Sequence, residues 1–312
     1  MRDTLFIANP VAGRGLGEKR SRELRKLLSS QDLDYELHMT TAPGDARRVA
    51  EAEAANYSRI VALGGDGTIQ EVANGLVRAR MDAATPHPSP FASLGILPAG
   101  TGNDLVKALG IPRKLEQSLE RLLQAKEKPL DIGRLRYRIA DDTVERERIF
   151  TNNMGLGFEG QIVRVAEAIR LPLRGQALYG YALVKMLPRL CRPQMTLTFS
   201  DEKIEGEFLL LSVGNGHSCG GGFLLTPDAS PHDGQLDFCL LDAQTPARVL
   251  RFLPKAMKGK HIDVEGVRMR RAPSLQVDIP EGTFAHADGE LLSERCTRMN
   301  IEILPGFLPV LV

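Results

Sequence analysis

Arg59-Ile-Val-Ala-Leu-Gly-Gly-Asp-Gly-Thr68 is the stretch on which the fold turns: an apolar run empties into a glycine-rich bend holding one carboxylate and one hydroxyl. Gly64, Gly65 and Gly67 let the backbone take conformations closed to other residues and bring its N–H groups close to an anion. Behind them Ile69, Val72, Ala73, Leu76 and Val77 recur at helical spacing, so Thr68 stands near the N-terminus of an amphipathic helix. The helix dipole favours phosphate there. A plain strand-to-helix turn would need the glycines but has no use for the Asp between them.

Outward from this bend, strand and helix patterns alternate through the first third of the chain. A strand over 4–8 leads into the loop Asn9-Pro-Val-Ala-Gly13-Arg-Gly15 and a charged helix with Leu24, Leu27 and Leu28 on one face. A strand over 35–39, a helix over 45–55, the strand over 59–63 with its helix, and a strand over 93–97 follow. This β-α-β-α order predicts a parallel sheet covered on both faces, with ligands beyond the carboxyl ends of its strands. The three glycine-rich loops all fall at such ends. Residues 85–90, Thr-Pro-His-Pro-Ser-Pro, read as a proline-rich surface loop.

After Pro129 the texture changes to short strand-like runs at 131–138, 148–153, 195–199, 207–213, 235–241, 274–279 and 299–303, which read as a largely antiparallel second domain. Helices are expected at about 159–170, 176–190 and 246–258. The expected domains are therefore 1–129 and 130–312, with the last strand returning to the first domain and the ligand cleft between the two.

The 312 residues are enough for two domains, and 43% hydrophobic with 25% charged residues is ordinary for a globular protein. A formal charge of +1 gives no electrostatic case for nucleic acid. Cys191, Cys219, Cys239 and Cys296 form no C-x-x-C pair, which argues against a zinc site or a disulfide framework and suits a reducing cytoplasm. The opening segment is too short for a signal-peptide core, and no run approaches the roughly 18 apolar residues of a spanning helix. The expectation is a cytoplasmic protein, at most peripheral on the inner face of the membrane. Oligomeric state is not legible, and a homodimer stays open.

A second bend, Leu97-Pro-Ala-Gly-Thr-Gly-Asn-Asp104, again follows a strand and precedes a helix carrying Leu105, Val106 and Leu109 inward. Gly100 and Gly102 allow close backbone approach, the Thr101 hydroxyl can meet phosphate, and Asn103 or Asp104 can cap the helix. Gly64-Gly-Asp-Gly-Thr68 followed by Gly100-Thr-Gly-Asn-Asp104 resembles the diacylglycerol-kinase catalytic superfamily, which includes sphingosine and ceramide kinases and the bacterial YegS-like lipid kinases. The likeness runs through Asn9-Pro10 with Gly13, Asp131-Ile-Gly133, Asn153-Met-Gly-Leu-Gly157, Gly214-Asn-Gly216 with Gly220-Gly-Gly222, Asp233-Gly234 and Asp288-Gly-Glu290. It implies an N-terminal three-layer α/β domain like that of phosphofructokinase and NAD kinase, and a C-terminal, mainly antiparallel β-sandwich. The implied activity is ATP- and Mg2+-dependent transfer to a lipid hydroxyl of diacylglycerol, phosphatidylglycerol or sphingoid type.

By that resemblance Asn9, Thr40, the loop of Gly64, Gly65, Asp66, Gly67, Thr68 and Glu71, and Gly100, Thr101 and Asn103 contact the nucleotide. Thr40 also suits a simple cap before a helix. Magnesium falls to Asp66, Asp104 and Asp131, largely through water, although Asp131 also suits a structural pairing. Phosphate transfer to a hydroxyl needs a proton acceptor, and Asp288 and Glu290 are the candidates, with Asp66 as the third catalytic residue. The pair Asp288-Gly289 is equally a hairpin-turn signal. A second, structural cation falls on Ser230, Asp233 and Gln235, mainly through backbone oxygens.

Competing readings share single motifs. NAD kinase has a Gly-Gly-Asp-Gly but not the second loop, and it is the alternative enzyme; a regulator that keeps the fold without chemistry is the non-enzymatic alternative. Gly155-Leu-Gly157-Phe-Glu-Gly160 fits the dinucleotide fingerprint, yet after Glu167 the next acidic residue is Asp201, so nothing stands ready for a ribose. The helix expected from Pro246, with Arg248, Arg251, Lys255, Lys258 and Lys260, reads as a domain helix with a solvated basic face, or as one lying on anionic headgroups. The helix over 176–190, with Leu178, Tyr181, Ala182, Lys185 and Met186 at helical intervals, reads as core ahead of its alternative, a lipid groove.

Overall fold

The structure, a computed structural model, describes residues 2–13, 15–31, 33–82, 91–169, 171, 173 and 175–312. The proline-rich segment 85–90 lies outside them. The chain forms two compact units, Met1–Leu130 with Gly306–Val312, and Asp131–Pro305.

The first unit runs β1 (Arg2–Ala8), α1 (Leu16–Leu28), β2 (Tyr35–Met39), α2 (Asp45–Glu53), β3 (Tyr57–Gly64), α3 (Asp66–Asp82), β4 (Ser93–Pro98), α4 (Asp104–Ala108) and α5 (Leu115–Gln124). Its strands lie in the order β4-β3-β1-β2, all parallel, with Phe6 opposite Val61 and Ile60 opposite Leu94. The central strand is consistent with that position. Ile60, Val61, Ala62 and Leu63 are fully buried, as a parallel strand with both faces covered requires, and each of the larger side chains contributes roughly 1.5–3 kcal/mol. Leu24, Leu28, Leu115, Leu119 and Leu122 pack from α1 and α5 onto Phe6, Val61, Leu63 and Leu97. The C-terminus completes the sheet, with Val310 pairing in parallel with Leu94.

The rest of the chain supplies β5 (Glu127–Ile139), β6 (Arg146–Phe150), β7 (Asn153–Gly157), α6 (Phe158–Ala168), α7 (Gly175–Met186) with a single 3-10 turn at Leu187–Arg189, β8 (Gln194–Thr198), β9 (Lys203–Gly214), β10 (Leu236–Asp242), α8 (Pro246–Ala256), β11 (Val267–Ala272), β12 (Ser274–Ala287) and β13 (Glu290–Leu311). Within the second unit the pairing is antiparallel, and it makes a β-sandwich: Leu135, Phe150, Leu197, Phe208, Leu211, Val213, Phe238, Val277 and Met299 close the interior. On β9, Leu211 and Val213 point into this core while Leu210 faces a second apolar cluster under α7 and α8. The successive residues Leu210 and Leu211 thus face opposite sides of a strand that is covered on both. Three expectations change. The run over 148–153 is two strands, β6 and β7, broken at Thr151-Asn152; β7 is the glycine motif itself; and β11 was not anticipated.

Candidate functional site

The loops after β1, β3 and β4 meet at the carboxyl edge of the parallel sheet. Asn9 donates from Nδ2 to Thr68 Oγ1 at 3.2 Å, while its own Oδ1 accepts the Val11 N–H at 3.1 Å. Ala99 N–H donates to the Gly64 carbonyl at 2.7 Å. A Cβ on Gly100 would come within 2.6 Å of Gly65 Cα, so glycine at both positions is what lets the two bends touch. Glu71 reaches from α3 to accept the Gly44 N–H at 3.0 Å, fixing the turn that follows Thr40, and the Thr40 N–H is bonded to the Ala8 carbonyl at 2.9 Å.

Asp66 locks this arrangement. Its Oδ2 accepts the Asn103 N–H at 2.7 Å and its Oδ1 the Asp104 N–H at 2.8 Å, so one carboxylate from the first bend caps the helix that leaves the second. The cap anticipated at Asn103 or Asp104 is thereby corrected. Asn103 takes a left-handed backbone, φ 53°, its side chain caps nothing at that helix start, and it bonds the Gly100 carbonyl at 2.9 Å instead. Burial raises the Asp66 pKa above the usual carboxylate range, Asp104 adds to this by repulsion, and the two amides and Lys107 oppose it. Asp104 is ion-paired to Lys107 at 2.8 Å.

The donor set bears on magnesium. Both Asp66 oxygens already accept an amide and Asp104 Oδ1 carries a lysine, so both carboxylates are already partly engaged within the protein. No group of three or more Cys, His, Asp or Glu suited to a metal exists among the described residues. Such a set fits Mg2+ held through water, an ion that sheds its hydration reluctantly, and does not fit a dedicated all-protein cage. For phosphate the fit is backbone. Around a Cβ built on Gly67 there is nothing within 4 Å, an open space at the first turn of α3. Thr101 is exposed, and its carbonyl accepts from Arg113 at 3.3 Å.

Asp131 belongs to the second unit, where it is buried. Its N–H donates to the Pro231 carbonyl at 2.9 Å, its Oδ2 accepts the Gly234 N–H at 2.7 Å, and its carbonyl accepts from Asn215 Nδ2 at 2.8 Å. It therefore shapes the turn containing Ser230, Asp233 and Gln235. Asp233 accepts the Gln235 N–H at 3.0 Å and faces Arg271 at 2.5 Å. Beside it burial pushes the Asp237 carboxyl up to about 6, with Arg271 opposing and Asp233 and Asp228 adding.

Asp288 and Glu290 differ sharply. Asp288 is at φ 46°, and its carboxylate accepts the N–H groups of Thr151 at 2.7 Å, Asn152 at 2.9 Å and Asn153 at 3.0 Å, plus the Thr151 hydroxyl at 3.1 Å. Burial raises its pKa while those four donors oppose the rise. Glu290 opens β13 with its side chain 46% exposed and ion-paired to Arg148. His286, two residues before Asp288, is buried 3.3 Å from Glu159, which also accepts from Asn153 Nδ2 at 3.0 Å.

Several of these partners had no signal in the sequence. Arg148 and Lys107 are ordinary surface-type cations until the fold brings them to Glu290 and Asp104. Asn215 stood inside a quoted motif without a role; fully buried, it donates to the carbonyls of Asp131 and Thr151 at 2.8 and 2.7 Å.

A parallel α/β unit with paired glycine bends, joined to a β-sandwich with an Asp-Gly-Glu turn, defines a class of small-molecule kinases. The diacylglycerol kinase catalytic domain matches residues 3–135, and the YegS C-terminal NAD kinase beta sandwich-like domain matches residues 152–312. Diacylglycerol kinase of Bacillus subtilis (strain 168) is 30% identical over 93% of this chain and 90% of its own length. A Pseudomonas aeruginosa PAO1 protein named "Probable lipid kinase YegS-like" is 34% identical over 93% of this chain and 89% of its own. A diacylglycerol kinase structure from Bacillus anthracis str. Sterne superposes with TM-score 0.70 at 21% identity, covering 99% of this chain and 96% of that one. Yeast NADH kinase shares the fold at TM-score 0.51 and 10% identity, covering 99% and 82%. The chain belongs to the diacylglycerol kinase and YegS-type lipid kinase family, and is a phosphotransferase.

Proposed function

We propose that this lipid kinase transfers the γ-phosphate of ATP to a lipid hydroxyl of the diacylglycerol, phosphatidylglycerol or sphingoid class, with Glu290 as proton acceptor. The observation that carries the nucleotide half is the contact of the two glycine bends through Gly65 and Gly100, tied by Asp66 across to the amides of Asn103 and Asp104. It presents the start of α3, with Gly67 and Thr68, as one preorganised surface for a triphosphate, which is what transfer with little covalent chemistry demands. Asn9 orients Thr68. Asp66, Asp104 and Asp131 are the residues proposed to hold Mg2+ through water. When bound, the ion would neutralise charge on the phosphate oxygens.

On the acceptor side, Asp288 spends its oxygens anchoring residues 151–153, and Glu290 keeps an exposed carboxylate beside Arg148. A general base must reach the substrate hydroxyl, so Glu290 takes that role and Asp288 the positioning one. A second cation at Ser230, Asp233 and Gln235 is supported by the acidic surroundings of Asp228 and Asp237, and Arg271 already supplies part of the balancing charge.

The test is γ-labelled ATP with Mg2+ and separate diacylglycerol, phosphatidylglycerol, sphingoid-base and NAD acceptors. Labelled lipid is expected, and Glu290→Gln is expected to lower turnover about 100- to 10,000-fold with the fold intact. Label appearing in NADP alone moves the reading to NAD kinase. No labelled product from any acceptor moves it to a silent regulator.

A further inference from the structure

Two stretches of the second unit contain no carboxylate at all. Residues 168–200 carry Arg170, Arg174, Lys185, Arg189 and Arg192, and residues 243–262 carry Arg248, Arg251, Lys255, Lys258 and Lys260. With 39 acidic residues in 312, stretches of that combined length would ordinarily hold about seven, and the whole chain nets only +1. The fold packs the helix of each stretch, α7 and α8, on one side of the sandwich. Leu183 of α7 and Leu187 just beyond it share an apolar cluster with Val249, Phe252 and Ala256 of α8, over Leu209, Leu210 and Leu241. With their inner faces buried there, the helices turn apolar residues outward as well.

On α7, Tyr181 is 44% and Val184 55% exposed; on α8 Leu250 is 47% exposed, and Met257 at its C-cap is 40% exposed. Leu171 and Ile262, in the same two stretches, bring the number to six of the eight exposed large hydrophobic residues among those described. The spacing is helical: Ala177, Tyr181 and Val184 line one stripe, and Ala247, Leu250, Pro254 and Met257 another, with Arg251, Lys255 and Lys258 alongside. Arg248 comes within 4.0 Å of Glu265, whereas Arg251, Lys255 and Lys258 have no carboxylate partner among the described residues. Scattered exposed hydrophobics need no explanation, but four gathered on two neighbouring helices and the C-cap of one, with two more in the flanking segments and with cations that outnumber the one carboxylate paired to them among the described residues, Glu265, do. A second copy of the chain would bring the same positive charge against itself, and a nucleic acid would leave the apolar stripes exposed.

We infer that the outer face of α7 and α8 is the surface by which this kinase docks on an anionic lipid bilayer, apolar stripes entering the headgroup boundary and cations meeting lipid phosphates. The choice of a bilayer rests on the lipid-kinase reading; the face itself does not. The test is co-sedimentation of the full chain with phosphatidylcholine vesicles, alone and with about one-third phosphatidylglycerol, at low and high salt. Binding is expected only to the anionic vesicles and is expected to weaken with salt. Arg251→Gln with Lys255→Gln should weaken it about 25-fold, a factor of about five for each cation lost. Tyr181→Ser with Val184→Ser should weaken binding while preserving its salt dependence, and all four positions are exposed enough for the fold to survive, as circular dichroism would verify. Phosphorylation of a short-chain, monomeric diacylglycerol should be unchanged in both variants. Equal binding to the two vesicle types, or unaltered binding in both variants, overturns the docking face. So does self-association without vesicles that the same substitutions abolish. Vesicle binding by a protein that labels no lipid refutes the phosphotransfer reading and leaves the face standing.

Discussion

Replacing Asp66 with Ala separates what this carboxylate does for the loops from what it does for the reaction. The change removes the acceptor of two amides, Asn103 N–H at 2.7 Å and Asp104 N–H at 2.8 Å, at the start of α4. Hydrogen bonds to a charged group contribute about 1.5–3 kcal/mol each, so the gross loss is about 3–6 kcal/mol. Part is returned, because the alanine neither has to be desolvated nor repels Asp104, the two effects that raise the Asp66 pKa, burial being the larger. The net expectation is a destabilisation of about 1–3 kcal/mol, a fall in melting temperature on the order of 3–10 °C. Turnover measured well below the melt should fall at least about 100-fold, since the loops lose their alignment and the proposed ion loses a ligand. Asp66→Asn should behave alike: the amide oxygen can accept one N–H, but its NH2 then faces the other. An unchanged melt in both variants would defeat the claim that Asp66 ties the loops. A lowered melt with undiminished turnover would defeat its part in holding magnesium.

Other outcomes follow from the same geometry. Gly100→Ala places a Cβ 2.6 Å from Gly65 Cα, and forcing the bends apart should cost about 1–3 kcal/mol and raise KM for ATP, whereas an unchanged melt would mean the bends do not touch. Gly67→Ala meets no atom within 4 Å, so stability should hold while KM for ATP rises about tenfold, and an unaltered KM would place the phosphates elsewhere. The Asp237 carboxyl, raised by burial from 3.8 to about 6, favours the folded state below pH 3.8 and loses that contribution as pH rises through 6. Asp237→Asn should therefore gain on wild type between pH 4 and 7, by on the order of 1 kcal/mol after solvent screening, and a pH-independent difference in melting temperature would contradict it.

Much of this was legible in the chain, and the illegible parts share a cause. The unbroken apolar run before Gly64 and the helical spacing after Thr68 are local, so the parallel unit could be read from them. The bond from Asp66 to Asn103 spans 37 residues, and a local reading assigned that cap to Asn103 or Asp104. β11 escaped because Arg268, Arg270 and Arg271 leave an edge strand little apolar alternation to see. The expectation for 176–190 was core, since Leu178, Tyr181, Ala182 and Met186 are apolar with little polar contrast around the helix. The fold covers α7 on only one side, burying Ala182 and Leu183 and leaving Tyr181 and Val184 in solvent. A helix without contrast does not encode which of its sides has a neighbour.

The Asp-Gly-Glu turn shows how two equivalent-looking carboxylates part company. An ionised carboxylate has about four lone-pair sites, and Asp288 commits four hydrogen bonds to Thr151, Asn152 and Asn153. To accept a substrate proton it would have to give up one of them, and those four donors oppose the rise in pKa that burial gives it. The left-handed backbone of Asp288 is the strain that this anchorage sustains, and it sets where Gly289 turns the chain and where β13 begins. Glu290 stands at that beginning, exposed, with Arg148 to orient it. Asp288→Asn keeps an oxygen for two amides but turns its NH2 toward the Thr151 N–H, so the anchorage should loosen by about 2–4 kcal/mol, with turnover falling as a consequence of position. Glu290→Gln should leave the melt within about 1 °C of wild type while turnover collapses. Because the first variant acts through geometry and the second through protonation, the pH dependence of kcat should persist in Asp288→Asn at reduced height, and its ascending limb should vanish in Glu290→Gln. The opposite pattern would exchange the two roles.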